Sequence, residues 1–423
     1  MSKTLLSGLF LAGLLLGGCG SSAVNATPAV PSAVQVESLQ KIVDEGWAGV
    51  VKGRADFRGS LVLHIETVAG SYTVSSGDPV SDPETVNVRV ASNTKNFTAA
   101  AMMLLAQEGK LNIDDRIGDL IPGRQIPYVP DTADYQIPYR QNITIRQLLG
   151  HRGGVFDLTN ANIPNSVSQP YAGQRYLDYL FNLPGNAEHT VTFEETFGVL
   201  TTNQLSQFPP GQQFKYSNGG YSLLAKIIEQ VSGMRFDQFL QQRFFAPYGF
   251  SHTKSPYLGS DQTIESPFLR GFVYVPPPDG LVDVTLTNQS GQVGAGNMIS
   301  NAHELAAWYR LLFQGGLGHS PATLAQMMDV QPTGETLRFY GLGVTYTPGL
   351  GYGHDGTLPG TVSTCRYDPG TGTLVVIYAT TLDATDIGAE VFALYDIAAA
   401  AKGLLEGRVI DTSEFRSGLS GQH

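Results

Sequence analysis

Val88-Arg-Val-Ala-Ser-Asn-Thr-Lys-Asn-Phe-Thr-Ala-Ala-Ala-Met-Met-Leu-Leu105 changes character halfway along. Its first residues, Val88 to Ala91, alternate like a strand. Phe97 to Glu108, rich in Ala, Met and Leu, forms helix readily, and Gly109 supplies a stop. Ser92 and Lys95 stand at the junction. Residues three apart on a helix face the same way, so the lysine amine lies beside the serine hydroxyl and can take its proton. A hydroxyl at a helix N-terminus also meets free N–H groups that favour a developing negative charge. The bare Ser-x-x-Lys pattern recurs at Ser38 to Lys41 and at Ser251 to Lys254. Ser38 falls inside a helix that needs its other face for packing, and Ser251 follows Tyr248-Gly-Phe250 in a loop. Context therefore selects Ser92.

Upstream of this junction, Val36, Leu39, Ile42, Val43 and Trp47 recur at helical spacing. Two strands follow, Ser60 to Glu66 and Ser71 to Ser76, turning at Gly70. Downstream, from about Leu111 to residue 290, short helices such as 145–149 and 221–231 alternate with Pro/Gly/Asn loops. A helix is expected over 303–313. Strands return at 340–347, 361–367 and 373–380, the last two joined by the turn Asp368-Pro-Gly-Thr-Gly372. A helix from Asp386 to Leu404 closes the chain, and 406–423 reads as a polar tail. The expected fold is α+β: an antiparallel sheet flanked by N- and C-terminal helices, with an inserted α-rich subdomain.

Length and composition bound the function. The 423 residues suffice for one large catalytic unit with an insertion, and 42% hydrophobic with 15% charged residues fits a globular enzyme. A formal charge of −11, with no run of Lys or Arg, argues against a nucleic-acid surface. No His-x-His or His-Glu-x-x-His spacing exists, so no metal and no cofactor are expected. Asp114-Asp115 and Glu194-Glu195 diverge as neighbours do and read as solvated surface. Cys365, in an alternating segment, reads as a small buried residue on a sheet face.

Two further motifs carry chemistry. Tyr216-Ser-Asn218 follows Phe208-Pro-Pro-Gly211 and precedes a helix, so a phenol and an amide project from one turn. His354-Asp-Gly356 opens a strand whose glycine permits close approach by a substrate backbone. His151-Arg-Gly153 imitates it but leaves a helix for a loop, and His151 reads as a hydrogen-bonded structural residue.

Together these segments resemble the serine β-lactamase-related family, which includes class C β-lactamases, D-alanyl-D-alanine carboxypeptidases and family VIII esterases. The likeness is carried by Val90 to Ala100, Ile143-Thr-Ile-Arg-Gln-Leu-Leu-Gly-His151, Pro210-Gly211 with Tyr216-Ser-Asn-Gly-Gly-Tyr221, and Gly353-His-Asp-Gly-Thr-Leu-Pro-Gly360, in family order. It implies that Ser92 is the acylated nucleophile, Lys95 its proton partner and Tyr216 the proton shuttle. Asn218 would hold the substrate amide, and the backbone N–H groups of Ser92 and Thr357 would form the oxyanion hole. His354-Asp355-Gly356 falls where the family has Lys-Thr-Gly or His-Thr-Gly. Asp355 departs from that pattern: a carboxylate there would repel a substrate carboxylate, with no Arg or Lys between Phe339 and His354 to offset it. The implied activity is acyl-enzyme hydrolysis of an amide or ester, D-alanyl-D-alanine carboxypeptidase-like, with a carboxylesterase or a non-catalytic penicillin-binding protein as alternatives. The partner is then a small molecule or a peptidoglycan peptide.

The N-terminus resembles a bacterial lipoprotein signal. Lys3 and the apolar run Leu5 to Leu16 lead into Leu16-Gly-Gly-Cys19, so 1–18 would be a signal peptide, Cys19 the lipidated residue and 19–36 a tether. The hydrolase domain would span 37–405. Gly20 after the cysteine implies the outer membrane, facing the periplasm; an ordinary signal cut near Ala26, giving a soluble periplasmic or secreted protein, stays open.

Overall fold

A computed structural model describes residues 32–412 except 53, 55, 277–278 and 335–338. The signal peptide, Cys19, the tether up to residue 31 and the tail from residue 413 lie outside the described residues. Helix α1 runs Ala33–Val51, capped by the Ser32 hydroxyl on Gln35 N–H, so the first turn of helix occupies 33–36, where a tether was expected. Hairpin β1 (Ser60–Thr67) and β2 (Gly70–Gly77) follows, then β3 (Val88–Arg89). A 3₁₀ turn, Ala91–Asn93, leads into α2 (Thr94–Gln107).

The α-rich region holds α3 (Ile145–Leu149), α4 (Tyr176–Phe181), α5 (Phe193–Thr202), α6 (Asn218–Ser232) and α7 (Phe236–Leu240). A π turn joins α7 to α8 (Ala246–Tyr248). Strands β4 (Phe272–Val275), β5 (Gly280–Asp283) and β6 (Ile299–Ser300) precede α9 (Ala302–Phe313) and α10 (Pro321–Met328). The chain then adds β7 (Gln331–Pro332), β8 (Phe339–Tyr340) and β9 (Thr345–Thr347), so the strand expected at 340–347 is broken by a turn at 341–344. β10 (Gly351–Leu358), β11 (Thr361–Asp368), β12 (Thr373–Ala379), β13 (Thr381–Asp383) and α11 (Ile387–Glu406) complete it.

The main sheet has the order β2-β1-β12-β11-β10-β9-β8-β7, antiparallel at each pairing. Alternation assigns its faces. Leu61, Leu63 and Ile65 of β1, with Val375 and Ile377 of β12, pack under Leu39 and Val43 of α1 and Leu394 and Ala398 of α11. Val62, Val376, Tyr378 and Cys365 point the other way, into a core shared with Trp308 of α9, α2 and the helical region. The fold is thus the expected antiparallel sheet with N- and C-terminal helices, both packed on one face, and an α-rich insertion on the other. Cys365 is buried, its thiol pushed well above its ordinary pKa by burial. No described helix is long and apolar enough to cross a membrane.

Candidate active site

Ser92 sits in the 3₁₀ turn immediately before α2, preceded by Ala91 in a left-handed conformation with φ +52°. A residue with a Cβ pays for that conformation in strain, so the surroundings must hold it. They do so through side chains on both sides. Thr94 Oγ1 donates to the Ala91 carbonyl at 2.7 Å, while Asn93 Nδ2 donates to Ser363 Oγ at 2.9 Å and its Oδ1 accepts from Tyr309.

Lys95 is wholly buried, and its Nζ lies 3.1 Å from Ser92 Oγ, 2.6 Å from Asn218 Oδ1 and 2.7 Å from the Ala295 carbonyl. Burial brings its pKa down to about 7, against the raising effect of the Asp157 carboxylate. A neutral amine has two hydrogens and one lone pair. Asn218 and Ala295 offer acceptors only, so they take both hydrogens and leave the lone pair for the Ser92 hydroxyl. The Tyr216 ring lies over the same amine, its centroid 4.6 Å from Nζ.

Asn218 is the first residue of α6, whose N-cap is Ser217; its backbone N–H donates to buried Asp157 at 3.1 Å. Asp157 also accepts from the N–H groups of Thr159 and Asn160. No sequence pattern singled out Asp157 or Ala295, because a buried Asx-turn carboxylate and a main-chain carbonyl leave no side-chain signature. The other two Ser-x-x-Lys pairs are not brought together as sites: Ser38 Oγ donates to its own helix, Ser251 meets Glu304, and Lys254 pairs with Glu265.

His354, Asp355, Gly356 and Thr357 lie inside β10 rather than at its start. β9 covers β10 only from Gly351 to Gly353, so the edge beyond is left for the turn that carries Ser92. Gly356 permits that approach: a Cβ there would stand 2.5 Å from the Val90 carbonyl and 3.0 Å from Ala91 Cβ. His354 lines the cleft, yet both its ring nitrogens bond within the protein, Nε2 with Tyr340 Oη at 2.9 Å and Nδ1 with the Asp355 carbonyl at 2.6 Å. Burial, then the nearby Lys95, lowers its pKa to about 3, so it is neutral.

The expectation for Asp355 is corrected. Its Oδ1 accepts from Arg366 at 2.5 Å and its Oδ2 from Tyr395 at 2.7 Å. Arg366 comes from the neighbouring strand β11 and is fully buried, so the offsetting cation lies after His354 in sequence rather than between Phe339 and His354. An ion-paired carboxylate repels a distant anion far less than a lone one.

The cleft beside Ser92 has a volume of about 550 Å³. Tyr216, Asn218, Gln292 and Thr357 line it, with Phe181, Phe214, Tyr346 and Phe392 supplying aromatic surface. Among its lining residues, Arg175 is ion-paired with Asp178. Among the described residues no group of three or more His, Cys, Asp or Glu is arranged to hold a metal.

The D-amino acid amidase of Ochrobactrum anthropi SV3, solved with D-phenylalanine, superposes with a TM-score of 0.70 at 21% identity, covering 89% of this chain and 99% of that one. The penicillin-binding protein of Bacillus halodurans gives 0.65 at 20%, covering 86% and 99%. At such identities the likeness concerns the fold. In sequence, the chain is 32% identical to penicillin-binding protein 4* of Bacillus subtilis over 166 residues, 39% of this chain and 30% of that protein. It is 28% identical to protein flp of Staphylococcus aureus over 169 residues, 40% and 28%. The match thus spans under a third of these curated relatives' length. The Beta-lactamase family profile, by contrast, matches residues 56–400, and the chain belongs to that family of serine hydrolases.

Proposed function

We propose that the protein hydrolyses an amide or ester through an acyl-enzyme on Ser92. The observation that carries this reading is the buried Lys95 amine, its pKa brought to about 7, hydrogen-bonded to the Ser92 hydroxyl. Ser92 Oγ attacks the substrate carbonyl carbon and Lys95 takes its proton. The tetrahedral oxyanion is held by the N–H groups of Ser92 and Thr357. The carbonyl–leaving-group bond then breaks, and Tyr216, beside the Lys95 amine, relays the proton to the departing nitrogen or oxygen. Water repeats the sequence in reverse roles and regenerates Ser92.

The substrate we assign is a D-alanyl-D-alanine-type peptide, cleaved as by a carboxypeptidase. The ion pair from Arg366 to Asp355 supports this, because it weakens the repulsion that an unpaired carboxylate would impose on a peptide C-terminus. A structural neighbour bears the name D-amino acid amidase, the same stereochemical class. An esterase is the second reading, favoured by the aromatic surface of Phe181, Phe214, Tyr346 and Phe392. A panel of a D-Ala-D-Ala peptide, D-phenylalaninamide and p-nitrophenyl butyrate, run on wild type and Ser92→Ala, decides. The first reading requires Ser92-dependent release of D-alanine; turnover of the ester alone would establish the second, and Ser92-independent turnover of all three would defeat both.

A further inference from the structure

Tyr340, on β8 and buried, touches two histidines that come from distant parts of the chain. Hydrogen placement around it follows from the backbone. Ser217 N–H donates to His151 Nδ1 at 3.1 Å. A nitrogen that accepts carries no proton, so neutral His151 is protonated at Nε2, which lies 3.1 Å from Tyr340 Oη. Tyr340 Oη therefore accepts from His151, and its own hydrogen goes to His354 Nε2 at 2.9 Å rather than to Tyr221 Oη at 3.4 Å. The Tyr221 hydroxyl spends its hydrogen on the Leu149 carbonyl at 2.8 Å. His354 Nε2 is then an acceptor, leaving Nδ1 to donate to the Asp355 carbonyl at 2.6 Å. Every hydrogen in the chain points the same way, from the Tyr216–Asn218 turn to strand β10.

The two ends of this chain are the two halves of the site. One end holds the turn that carries Tyr216 and the Asn218 amide bonded to Lys95. The His151 ring also stacks near Tyr216, centroids 4.2 Å apart. The other end is the strand edge with Gly356 and Thr357. We propose that Tyr340 is a positioning residue for acylation, joining with His151 and His354 to lock the Tyr216–Asn218 turn to the Thr357 edge around Ser92. The proposal rests on the acyl-enzyme reading above.

The chain keeps its order across neutral pH. His354 faces Lys95 from α2, Tyr216 from the turn, Tyr340 from β8, Arg366 from β11 and Asp355 on its own strand. His151 faces Tyr216, Phe214, Tyr221, Tyr340, Lys95 and His354. Burial foremost, then the Lys95 charge, holds both imidazoles neutral.

Two readouts test this. Imidazole ¹⁵N shifts of the wild type should show His151 as the Nε2–H form and His354 as the Nδ1–H form, unchanged between about pH 5.5 and 8.5. Tyr340→Phe, which removes only the hydroxyl, should slow labelling of Ser92 by a neutral fluorophosphonate about 10- to 100-fold, the cost of a misplaced reacting group. His354 should stay in the Nδ1–H form, held by the Asp355 carbonyl, while its Nε2 shift moves to the value of a nitrogen that accepts no hydrogen bond. If that variant does not fold, His151→Ala and His151→Asn serve instead. Asparagine Oδ1 can stand where Nδ1 does and accept from Ser217, while its Nδ2 falls short of Tyr340, so it should recover part of the rate that alanine loses. Labelling of Tyr340→Phe at the wild-type rate, no difference between Ala and Asn at 151, or His354 found as the Nε2–H form would overturn the proposal. Ordered tautomers with no labelling of the wild type would instead overturn the acyl-enzyme reading, and with it the role in acylation.

Discussion

The pH dependence of acylation follows from Lys95 alone. Its pKa falls from the ordinary 10.5 to about 7 because burial disfavours the charged form. At pH 7 an ordinary lysine would have about 1 amine in 3000 neutral, and Lys95 has about half, a gain in available base on the order of 10³. Labelling of Ser92 by a neutral fluorophosphonate reports the free enzyme without titration of the probe. Its rate should rise about tenfold per pH unit below pH 6.5 and level off above about pH 8. His354, held to about 3, cannot contribute that limb. A rate flat from about pH 5 to 9, or still rising steeply at about pH 10, would refute the assignment of Lys95 as the base. Stability moves with the same group. Between about 7 and 10.5 the unfolded chain binds a proton that the folded chain does not. The penalty for burying Lys95 is therefore present in full below that window and relieved as pH rises through it.

Three substitutions probe other parts of the site. Tyr216→Phe should lower turnover by about 10²–10⁴ with little change in KM, measured on whichever panel substrate is cleaved; retention of most activity would leave Lys95 acting alone. Gly356→Ala drives a Cβ to 2.5 Å from the Val90 carbonyl and Ser363 Oγ, so it should separate β10 from the Ser92 turn. We expect a loss of about 1–3 kcal/mol in urea unfolding, together with slowed labelling; wild-type values in both would contradict the close approach. Asp355→Ala leaves Arg366 buried without its carboxylate and should cost about 3–5 kcal/mol, whereas a change below about 1 kcal/mol would mean that the pair carries little weight.

The sheet and its terminal helices were legible because their signals are local. Alternation marked β3 and β11, the turns at Gly70 and 368–372 marked the hairpins, and helix-forming composition with Gly109 marked α2. The shorter pieces were not legible. β6 is two residues long, and α4, α7 and α8 carry too few turns for a period to emerge. Within the site, Ser92, Lys95, Tyr216 and Asn218 could be named because each belongs to a short-range motif. What escaped was long-range: the Ala295 carbonyl on Lys95, Asp157 beneath Asn218, and Tyr340 between two histidines. Asp355 shows the same limit. Its charge was legible, but its partners Arg366 and Tyr395 sit on other elements, 11 and 40 residues further along the chain. His151 is hydrogen-bonded as expected, while the turn it supports became visible only in three dimensions.

The central claim is that Ser92 is acylated, and intact-mass spectrometry of the purified protein tests it most directly. After brief exposure to a fluorophosphonate, the wild type should gain the mass of one phosphonyl group, located by peptide mapping to the segment containing Ser92. Ser92→Ala should gain none. An undiminished adduct on Ser92→Ala, or one mapped to Ser38 or Ser251, would contradict the account.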